Sequence, residues 1–506
     1  MAEPRADTRA LEAETARALR GLFGRDTLYV VIWAVQVVVA ALCIPILTRL
    51  LGPYRYGMVA SSIAVMQVLV ALGGAGLQTA VQWQFARSGE RDARRLITLA
   101  MVVSALAFLV ANATGPWWCA RLGLGAYGGA VRYAVIWAAF TAVSNSALGL
   151  MRSRDQLRAF ALVGLLQSVV AELLGLVLVL LVARTATEFV FGQAIVQAAT
   201  VVVALVVARP AAVRGRDAGM LAAALRYSLA LVPAALATFS LQAADRLIVQ
   251  HDLGSAAVAR YSVANNIGVL PILLLGVLSA MWLPRIFTVA GDGLRRTVLA
   301  RSRDALYRLL VPVVVGVGVG APIALRIWAP ASYRPDELQL VVALVAIASI
   351  PVAGLLAAQR TLLSSGRTLA VGALTVAAGA ANIALNIALV PVLGIEGSAL
   401  GVLLSYALLH GLLAVAAGRV ERVSWPRAAV VAELVAAGAV ALAATRLPTD
   451  PALLGLRLVV ALGCLALVVV MLRRLVRPDD RLAGAAGDAA GAGVAAGPRT
   501  SAGAVS

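Results

Sequence analysis

Lysine is absent from this sequence of 506 residues, and all 43 of its basic residues are arginine. Charge of either sign is scarce, because only 13% of the residues are charged while 61% are hydrophobic. Soluble domains average about 45–50% apolar and about 25% charged residues. The composition therefore excludes an ordinary soluble domain and indicates a membrane protein whose chain crosses the bilayer many times.

Cysteine and histidine are also scarce. Cys43 and Cys464 lie within apolar runs, Cys119 lies in a loop, and His251 and His410 are far apart in the sequence. No CxxC pair or other metal-ligand spacing joins them, and no pairing of a nucleophile with a base is evident. We therefore predict no catalytic centre, no metal site, and no cofactor beyond a coupling ion such as H⁺ or Na⁺.

The net charge of +19 is carried by arginines that lie mostly in short loops between apolar runs. With the N-terminus placed in the cytoplasm, 32 arginines fall in inner segments and 11 in outer segments. Such an excess on the cytoplasmic side is expected of a membrane protein. It predicts that both termini are cytoplasmic, and it accounts for the basic charge without a nucleic-acid partner.

Apolar runs long enough to cross a bilayer recur along the chain, since about 20 helical residues span about 30 Å of hydrocarbon. Fourteen spans are predicted, at 28–48, 57–79, 96–115, 132–150, 159–182, 188–208, 226–249, 257–283, 305–328, 338–358, 369–391, 397–417, 428–446 and 453–472. The predicted organisation is a cytoplasmic N-terminal segment 1–26, spans 1–6 in 27–208, a cytoplasmic linker 209–225, spans 7–12 in 226–417, spans 13 and 14 in 428–472, and a disordered cytoplasmic tail 473–506.

A short internal repeat relates the two halves. Leu51-Gly52 closes the first predicted span, and Leu253-Gly254 follows the seventh at an offset of 202 residues. A short turn and a returning span rich in small residues follow both pairs. The repeat predicts two related six-helix bundles, an arrangement that places a substrate site between the halves.

Three stretches carry a resemblance to a known family. They are ILTRLLG at 46–52 with Tyr56-Gly57, ADR at 244–246 with LG at 253–254 and YSVA at 261–264, and NIALN at 382–386 with LGIEGSALG at 393–401. In order and spacing they resemble the Wzx-type flippases of the multidrug/oligosaccharidyl-lipid/polysaccharide (MOP) exporter superfamily over about residues 27–417. The chain departs from the pattern at Ala259, where a glycine is usual, and in having no lysine in any span.

The resemblance implies an all-α polytopic membrane protein of about fourteen transmembrane helices. Two pseudo-symmetric six-helix bundles would form a V around a polar cavity, with two C-terminal helices added. It implies translocation of an undecaprenyl-diphosphate-linked oligosaccharide across the bacterial cytoplasmic membrane by alternating access, for cell-surface polysaccharide biosynthesis. The implied partners are that lipid-linked substrate, membrane lipids and a polysaccharide polymerase or export machinery, and a monomer is expected.

Polar residues within the predicted spans are the candidate site residues, because they are costly when they face lipid. Arg49 either binds phosphate as a bidentate donor or extends to the outer headgroups. Glu172 serves either in coupling or in helix packing, and Asp245 with Arg246 forms either a functional ion pair or a packing pair. The candidate cavity amides, which alternatively join helices together, are Gln36, Gln67, Gln242, Asn265, Asn266 and Asn386.

Three other functions are weighed against the oligosaccharide flippase. A lipid II flippase of the MurJ type shares the fourteen-span plan. A multidrug or cation antiporter of the MATE type needs a cavity dominated by acids, and Glu172 is the clearest acid within a span. A membrane glycosyltransferase or polymerase needs a large outer loop, whereas every predicted outer loop is short, so we predict a transporter with no enzymatic step.

Overall fold

Long apolar runs favour helices, because a helix satisfies its own backbone N–H and C=O groups where no water is present. A computed structural model of the chain describes the backbone of residues 4–74, 76–287, 292–420 and 426–476, and the side chains of residues 35–74, 76–215, 217–279, 299–420 and 426–473. Over these ranges all regular structure is helical, without strands, and the predicted all-α class is confirmed. The predicted tail after residue 476 lies outside the described residues.

The helices of the first half form a bundle that we call the N-lobe. They are α1 Pro4–Gly74, α2 Leu77–Ser88, α3 Glu90–Ala113, α4 Gly115–Arg121, α5 Gly129–Ser153, α6 Leu157–Leu165, α7 Ala171–Leu181 and α8 Ala186–Ala208. A loop with one 3₁₀ turn at Gly215–Asp217 leads to the second half.

The helices of the second half form the C-lobe and two appended helices. The C-lobe contains α9 Ala218–Phe239, α10 Asp245–Leu253, α11 Ser255–Gly268, α12 Leu270–Phe287, α13 Asp292–Trp328, α14 Gln339–Ile347, α15 Ser349–Ser364, α16 Thr368–Leu393 and α17 Ile395–Gly418. The appended helices α18 Ala428–Ala444 and α19 Pro451–Val476 both pack against α13.

The predicted count of fourteen spans is not confirmed. Within the described residues, 11 helices are long and apolar enough to cross a membrane, or up to 12 with the bent pair Ser255–Gly268 and Leu270–Ser279. Two features account for much of the difference. Val35–Ser88 is counted once although its backbone is non-helical at Gly52, and Ala428–Ala444 has only 17 residues.

The internal repeat has a structural counterpart in its two glycines. Gly52 has φ 68° and ψ 174°, and Gly254 has φ 78° and ψ 176°. Residues with a side chain rarely adopt this conformation, which is nearly restricted to glycine. Both hairpins therefore reverse through the same backbone geometry. We call the end of the lobes that carries these glycines the outer end, in keeping with the predicted topology, and the opposite end the inner end.

Two π-helical turns interrupt the long helices. Leu166–Val170 joins α6 to α7, and Ser240–Ala244 joins α9 to α10. Single π-turns inside α-helices are rare and frequently occur at functional sites. Each turn is followed at once by a helix that carries a candidate acid in its first turn, Glu172 in α7 and Asp245 in α10.

The lobes share a hydrophobic core near the outer end. Leu47 and Tyr56 of the N-lobe belong to one buried cluster with Tyr261, Leu325 and Tyr333 of the C-lobe. A second cluster lies within the C-lobe and the appended helices, and a third joins the N-lobe to Ala224 of α9 at the inner end. The shared cluster holds the lobes together from the outer side.

We expect Gly254→Ala to destabilise the protein by about 1–3 kcal/mol, because the added methyl group forces a conformation that residues with side chains avoid. Thermal unfolding of the purified protein in neutral detergent, followed by intrinsic fluorescence, measures the change. Gly276→Ala is the matched control, since a Cβ at this exposed helical glycine meets nothing within 4 Å. Equal melting temperatures for the two variants would contradict the assigned role of Gly254.

Candidate functional site

The two lobes approach each other most closely at Gly57. A Cβ built on this glycine would lie 1.7 Å from the backbone oxygen of Ser255 in the opposite lobe. The Ser255 hydroxyl lies 3.2 Å from the sulfur of Met58. Only a residue without a side chain allows this contact, and we call the surrounding set of contacts between the lobes the outer closure.

Hydrogen bonds from α1 to the end of α13 extend the outer closure. The Thr48 hydroxyl donates to the carbonyl oxygen of Trp328 at 2.6 Å, and the Tyr333 hydroxyl donates to the carbonyl oxygen of Thr48 at 3.3 Å. Arg49 is exposed and donates to the carbonyl oxygens of Pro45 at 2.9 Å and Ile327 at 2.8 Å. In this conformation the Arg49 guanidinium therefore joins the lobes at the outer end.

Gln250 completes the outer closure, and the sequence analysis missed it. Its side-chain oxygen accepts a hydrogen bond from the Ser61 hydroxyl at 2.8 Å, and its amide nitrogen donates to the carbonyl oxygen of Gly123 at 2.9 Å. Gln250 is buried in this position between the lobes. Its place in the sequence, beside His251 and Asp252 in a predicted outer loop, gave no signal of this burial.

Glu172 lies in the N-lobe directly after the first π-turn. Its side chain is half-buried, and its carboxylate accepts a hydrogen bond from the Gln193 amide at 2.8 Å. Leu176, one helical turn further along α7, belongs with Cys43 and Tyr56 to the core shared by the lobes. Glu172 therefore lies near the surface where the lobes meet.

Asp245 and Arg246 lie in the C-lobe directly after the second π-turn. Asp245 is buried, and its carboxylate accepts hydrogen bonds from the Tyr261 hydroxyl and, at 2.8 Å, from the backbone N–H of Arg246. The Nε of Arg246 is buried without a hydrogen-bond partner among the described residues. Tyr261, the partner of the neighbouring Asp245, belongs with Tyr56 to the core shared by the lobes. Glu172 and Arg246 thus lie on helices of opposite lobes that border the shared core at Tyr56, and we call these three residues the central seam.

The candidate Asn386 belongs to a buried polar network inside the C-lobe. Its amide nitrogen donates to the carbonyl oxygen of Asn382 at 2.9 Å, and its side-chain oxygen accepts from the Ser398 hydroxyl at 2.9 Å. The Asn382 amide donates to the Ser405 hydroxyl at 3.1 Å. The network joins α16 to α17, and all four of these side chains are fully buried.

The other candidate amides occupy varied positions. Gln36 is half-buried and donates from its amide nitrogen to the carbonyl oxygen of Gly164 at 3.2 Å. Gln67 and Asn266 are half-buried, Asn265 is buried and Gln242 is exposed. The described contacts do not gather these amides into one cluster with Asn386.

Arg360 is a buried cation that the sequence analysis did not single out. It lies on α15 with 4% of its surface exposed, and it donates to the Ser279 hydroxyl at 2.7 Å. Its Nε has no hydrogen-bond partner among the described residues. The sequence analysis counted this arginine among the inner loops, because the predicted tenth span ended at residue 358.

An apolar groove of about 420 Å³ runs along the C-lobe between α11, α12, α13 and α19. Residues from Ile267 and Leu274 on one side to Leu458 and Val468 on the other line it. Gly316 and Gly320 line its base, and the absence of a side chain at both positions makes the groove deeper. The groove suits a hydrocarbon chain rather than a polar ligand. No cluster of three or more metal-ligating side chains occurs in the described part of the chain.

Residues 46–335 match the family described as polysaccharide biosynthesis protein. The chain belongs to this family. The matched residues include the helices of both lobes that meet in the outer closure. It confirms the resemblance to polysaccharide exporters. No curated protein matches the sequence.

Two solved structures illustrate the fold. The lipid II flippase MurJ in an inward closed conformation is 12% identical, with a TM-score of 0.70 over 89% of this chain and 100% of that chain. A multidrug-resistance MATE transporter of the MOP superfamily in an inward-facing conformation is 14% identical, with a TM-score of 0.60 over 76% of this chain and 94% of that chain. At these identities the similarity establishes the fold, which is that of a multi-pass membrane transporter.

We expect Gly57→Ala to force the outer closure apart, because the new methyl group cannot occupy the space of the Ser255 carbonyl. Spin labels at Tyr54→Cys and Ser332→Cys, both exposed at the outer end of opposite lobes, report the separation by pulsed electron paramagnetic resonance in a background without the three native cysteines. The distance should lengthen in Gly57→Ala. Gly128→Ala, an outer-end glycine whose Cβ would meet nothing within 4 Å, should leave it unchanged. An unchanged distance in both variants would refute the proposed contact.

Proposed function

We propose that this protein translocates a polyprenyl-diphosphate-linked oligosaccharide across the cytoplasmic membrane for the synthesis of a cell-surface polysaccharide. Membership of the polysaccharide biosynthesis family supports this function. The observation that carries it is the central seam, where Arg246 and Glu172 lie on opposite lobes that meet in the outer closure. Transport requires no enzymatic step, since the seam has only to bind and release.

The outer closure is suited to alternating access. It consists of a backbone contact at Gly57 and a few hydrogen bonds between the lobes. A hydrogen bond contributes about 0.5–1.5 kcal/mol net, so each polar contact of the closure can break and re-form during a transport cycle. Opening at the outer end would expose the central seam to the other side of the membrane.

Arg246 is the cation that we assign to the diphosphate. Its guanidinium has a buried Nε with no partner in the described part of the chain, and arginine binds phosphate with parallel hydrogen bonds. Arg49, by contrast, already donates to two backbone carbonyl oxygens. We infer that Arg49 acts on phosphate only when the outer closure opens and releases those bonds.

The apolar groove would accept the polyprenyl tail. Burial of a hydrocarbon chain in a groove lined by Leu274, Leu458 and Val468 keeps the lipid tail in an apolar environment while the headgroup crosses the seam. Each buried methylene contributes about 0.8 kcal/mol relative to water. A protein with a polar seam for the headgroup and an apolar groove for the tail suits an amphipathic substrate better than a fully water-soluble one.

Glu172 is the residue that we assign to coupling by H⁺ or Na⁺. Its carboxylate has one described partner, Gln193, and Leu176, one helical turn away, belongs to the shared core with Tyr56. An ion that binds there would change the charge of the seam directly. Asp245 is less suited to this role, since Tyr261 and the Arg246 backbone already occupy both of its oxygens.

A lipid II flippase is the second candidate function, and the similarity in fold to MurJ favours it. Lipid II is also a polyprenyl diphosphate, so the same division between seam and groove would serve it. A multidrug antiporter is less well supported, because Arg246 at the seam would repel organic cations. We further propose a bacterial plasma membrane location, cytoplasmic termini, a monomeric state and contact with polysaccharide polymerase or export machinery.

Reconstitution into liposomes with a fluorescent undecaprenyl-diphosphate oligosaccharide tests the proposal. Its appearance in the opposite leaflet is measured by quenching, with lipid II and a cationic dye as alternative substrates. We expect transport of the oligosaccharide substrate. Transport of lipid II alone would favour the second candidate, and efflux of the dye alone would refute both.

We expect Arg246→Gln to slow transport by about ten- to a hundredfold, the equivalent of a lost charge-assisted hydrogen bond of about 1.5–3 kcal/mol. Glu172→Gln should abolish the response of the rate to an imposed H⁺ or Na⁺ gradient while substrate binding persists. Arg132→Gln and Glu433→Gln, two exposed residues outside the seam, are the matched controls. If Arg246→Gln and Glu172→Gln transport at the same rate as these controls and respond to the gradient in the same way, the assigned roles are wrong.

A further inference from the structure

A second polar site lies at the inner end of the N-lobe, away from the central seam. A pocket of about 870 Å³ opens there between α2, α3, α5 and α8. Arg94, Arg154 and Arg209 line it, each from a different part of the chain, together with the acids Glu90 and Asp155. Three guanidinium groups therefore share one pocket with two carboxylates, which leaves an excess of positive charge.

Arg154 is the most buried of these arginines. It donates to the carbonyl oxygens of Val207 at 3.2 Å and Ala208 at 3.3 Å, and to Glu90 at 2.6 Å. Its Nε is nevertheless buried with no hydrogen-bond partner in the described structure. Burial lowers the pKa of Arg154, Glu90 opposes this shift, and repulsion from Arg94 and Arg209 adds to it. A bound anion would relieve the mutual repulsion between these three cations.

The backbone around the pocket is held in unfavourable conformations. Asp155 has φ 55° and Arg209 has φ 51°, and they are two of the three non-glycine residues with positive φ in the described chain. The left-handed region costs a residue with a side chain about 1–2 kcal/mol. The Arg209 carbonyl oxygen, in this conformation, accepts a hydrogen bond from the Nε of Arg94. Both residues stand directly at the C-terminal end of a helix, where the left-handed conformation commonly terminates it, and they thereby fix the wall of the pocket.

The other wall of the pocket is apolar. Phe85, Val206 and Val207 line it. Val206 is 68% exposed and lies one helical turn after the exposed Val202, so this face of α8 is directed towards lipid. The pocket therefore lies where the apolar surface of the bundle meets its polar loops, which is the depth of phospholipid headgroups.

We propose that this pocket binds a phosphate group, supplied by the headgroup of an anionic phospholipid. Arg94 and Arg209 hold the phosphate oxygens, and the nearby guanidinium of Arg154 adds to the positive potential of the pocket. The apolar wall contacts the first part of the acyl chains. The site is separate from the central seam. Binding of a phospholipid there does not depend on which substrate the protein transports.

Native mass spectrometry of the full chain in neutral detergent tests the proposal. Short-chain phosphatidylglycerol, short-chain phosphatidylcholine and inorganic diphosphate are titrated separately. We expect saturable phosphatidylglycerol binding that weakens about tenfold or more in Arg94→Gln/Arg209→Gln, since each lost charge-assisted hydrogen bond costs about 1.5–3 kcal/mol. Arg152→Gln is the control, because Arg152 is exposed two residues before Arg154 and packs over Phe160.

Each outcome is decisive. Diphosphate binding that is lost in the double variant would support the phosphate site but identify a free anion as its ligand. Equal binding of phosphatidylcholine, or an equal loss in Arg152→Gln, would overturn the proposal, since binding would then not depend on these arginines. Absence of saturable binding by both anionic probes would overturn it as well. The double variant leaves Arg154 and its contacts to α8 intact, and an unchanged melting temperature would confirm that it is folded.

Discussion

The close approach of Gly57 to the Ser255 carbonyl is the contact on which the arrangement of the lobes depends. No water is available within a bilayer to fill a gap between helices, so helices associate through close packing of small residues. At this point the packing brings one helix directly against the backbone of another. Tyr56, Thr48, Gln250 and Tyr333 then surround that contact with hydrogen bonds and aromatic packing. A substrate that enters between the lobes must therefore first be accommodated below this contact.

The two lobes stabilise their buried polar groups differently. In the C-lobe, Asn382 and Asn386 belong to one buried network with Ser398 and Ser405, and Asp245 forms a separate buried pair with Tyr261. In the N-lobe, the half-buried Glu172 has one described hydrogen-bond partner, Gln193. A fully satisfied network is rigid, whereas a single hydrogen bond to a half-buried carboxylate is easily exchanged. This contrast supports the coupling role that we propose for Glu172.

The sequence predicted the fold class and its organising repeat but not the count of spans or the contacts of the site. Composition and apolar runs indicated an all-helical membrane protein, and the repeated Leu-Gly pairs marked the two hairpins that share one backbone geometry. The importance of Gln250 and Arg360 could not be predicted, because both depend on contacts between residues far apart in the chain. Arg49 was visible as a candidate, but its bonds to Pro45 and Ile327 follow from the packing of α1 against α13.

The two π-turns have a consequence for the direction of the side chains that precede them. A π-turn contains one residue more than an α-turn, and one residue corresponds to a rotation of about 100° around the helix axis. Residues of α6 therefore face about 100° away from where a regular helical wheel drawn through Glu172 would place them, and the same holds for α9 relative to Asp245. A continuous helical pattern would place each acid on the same face as certain residues of the preceding helix. Because of the π-turn, those residues and the acid lie on different faces.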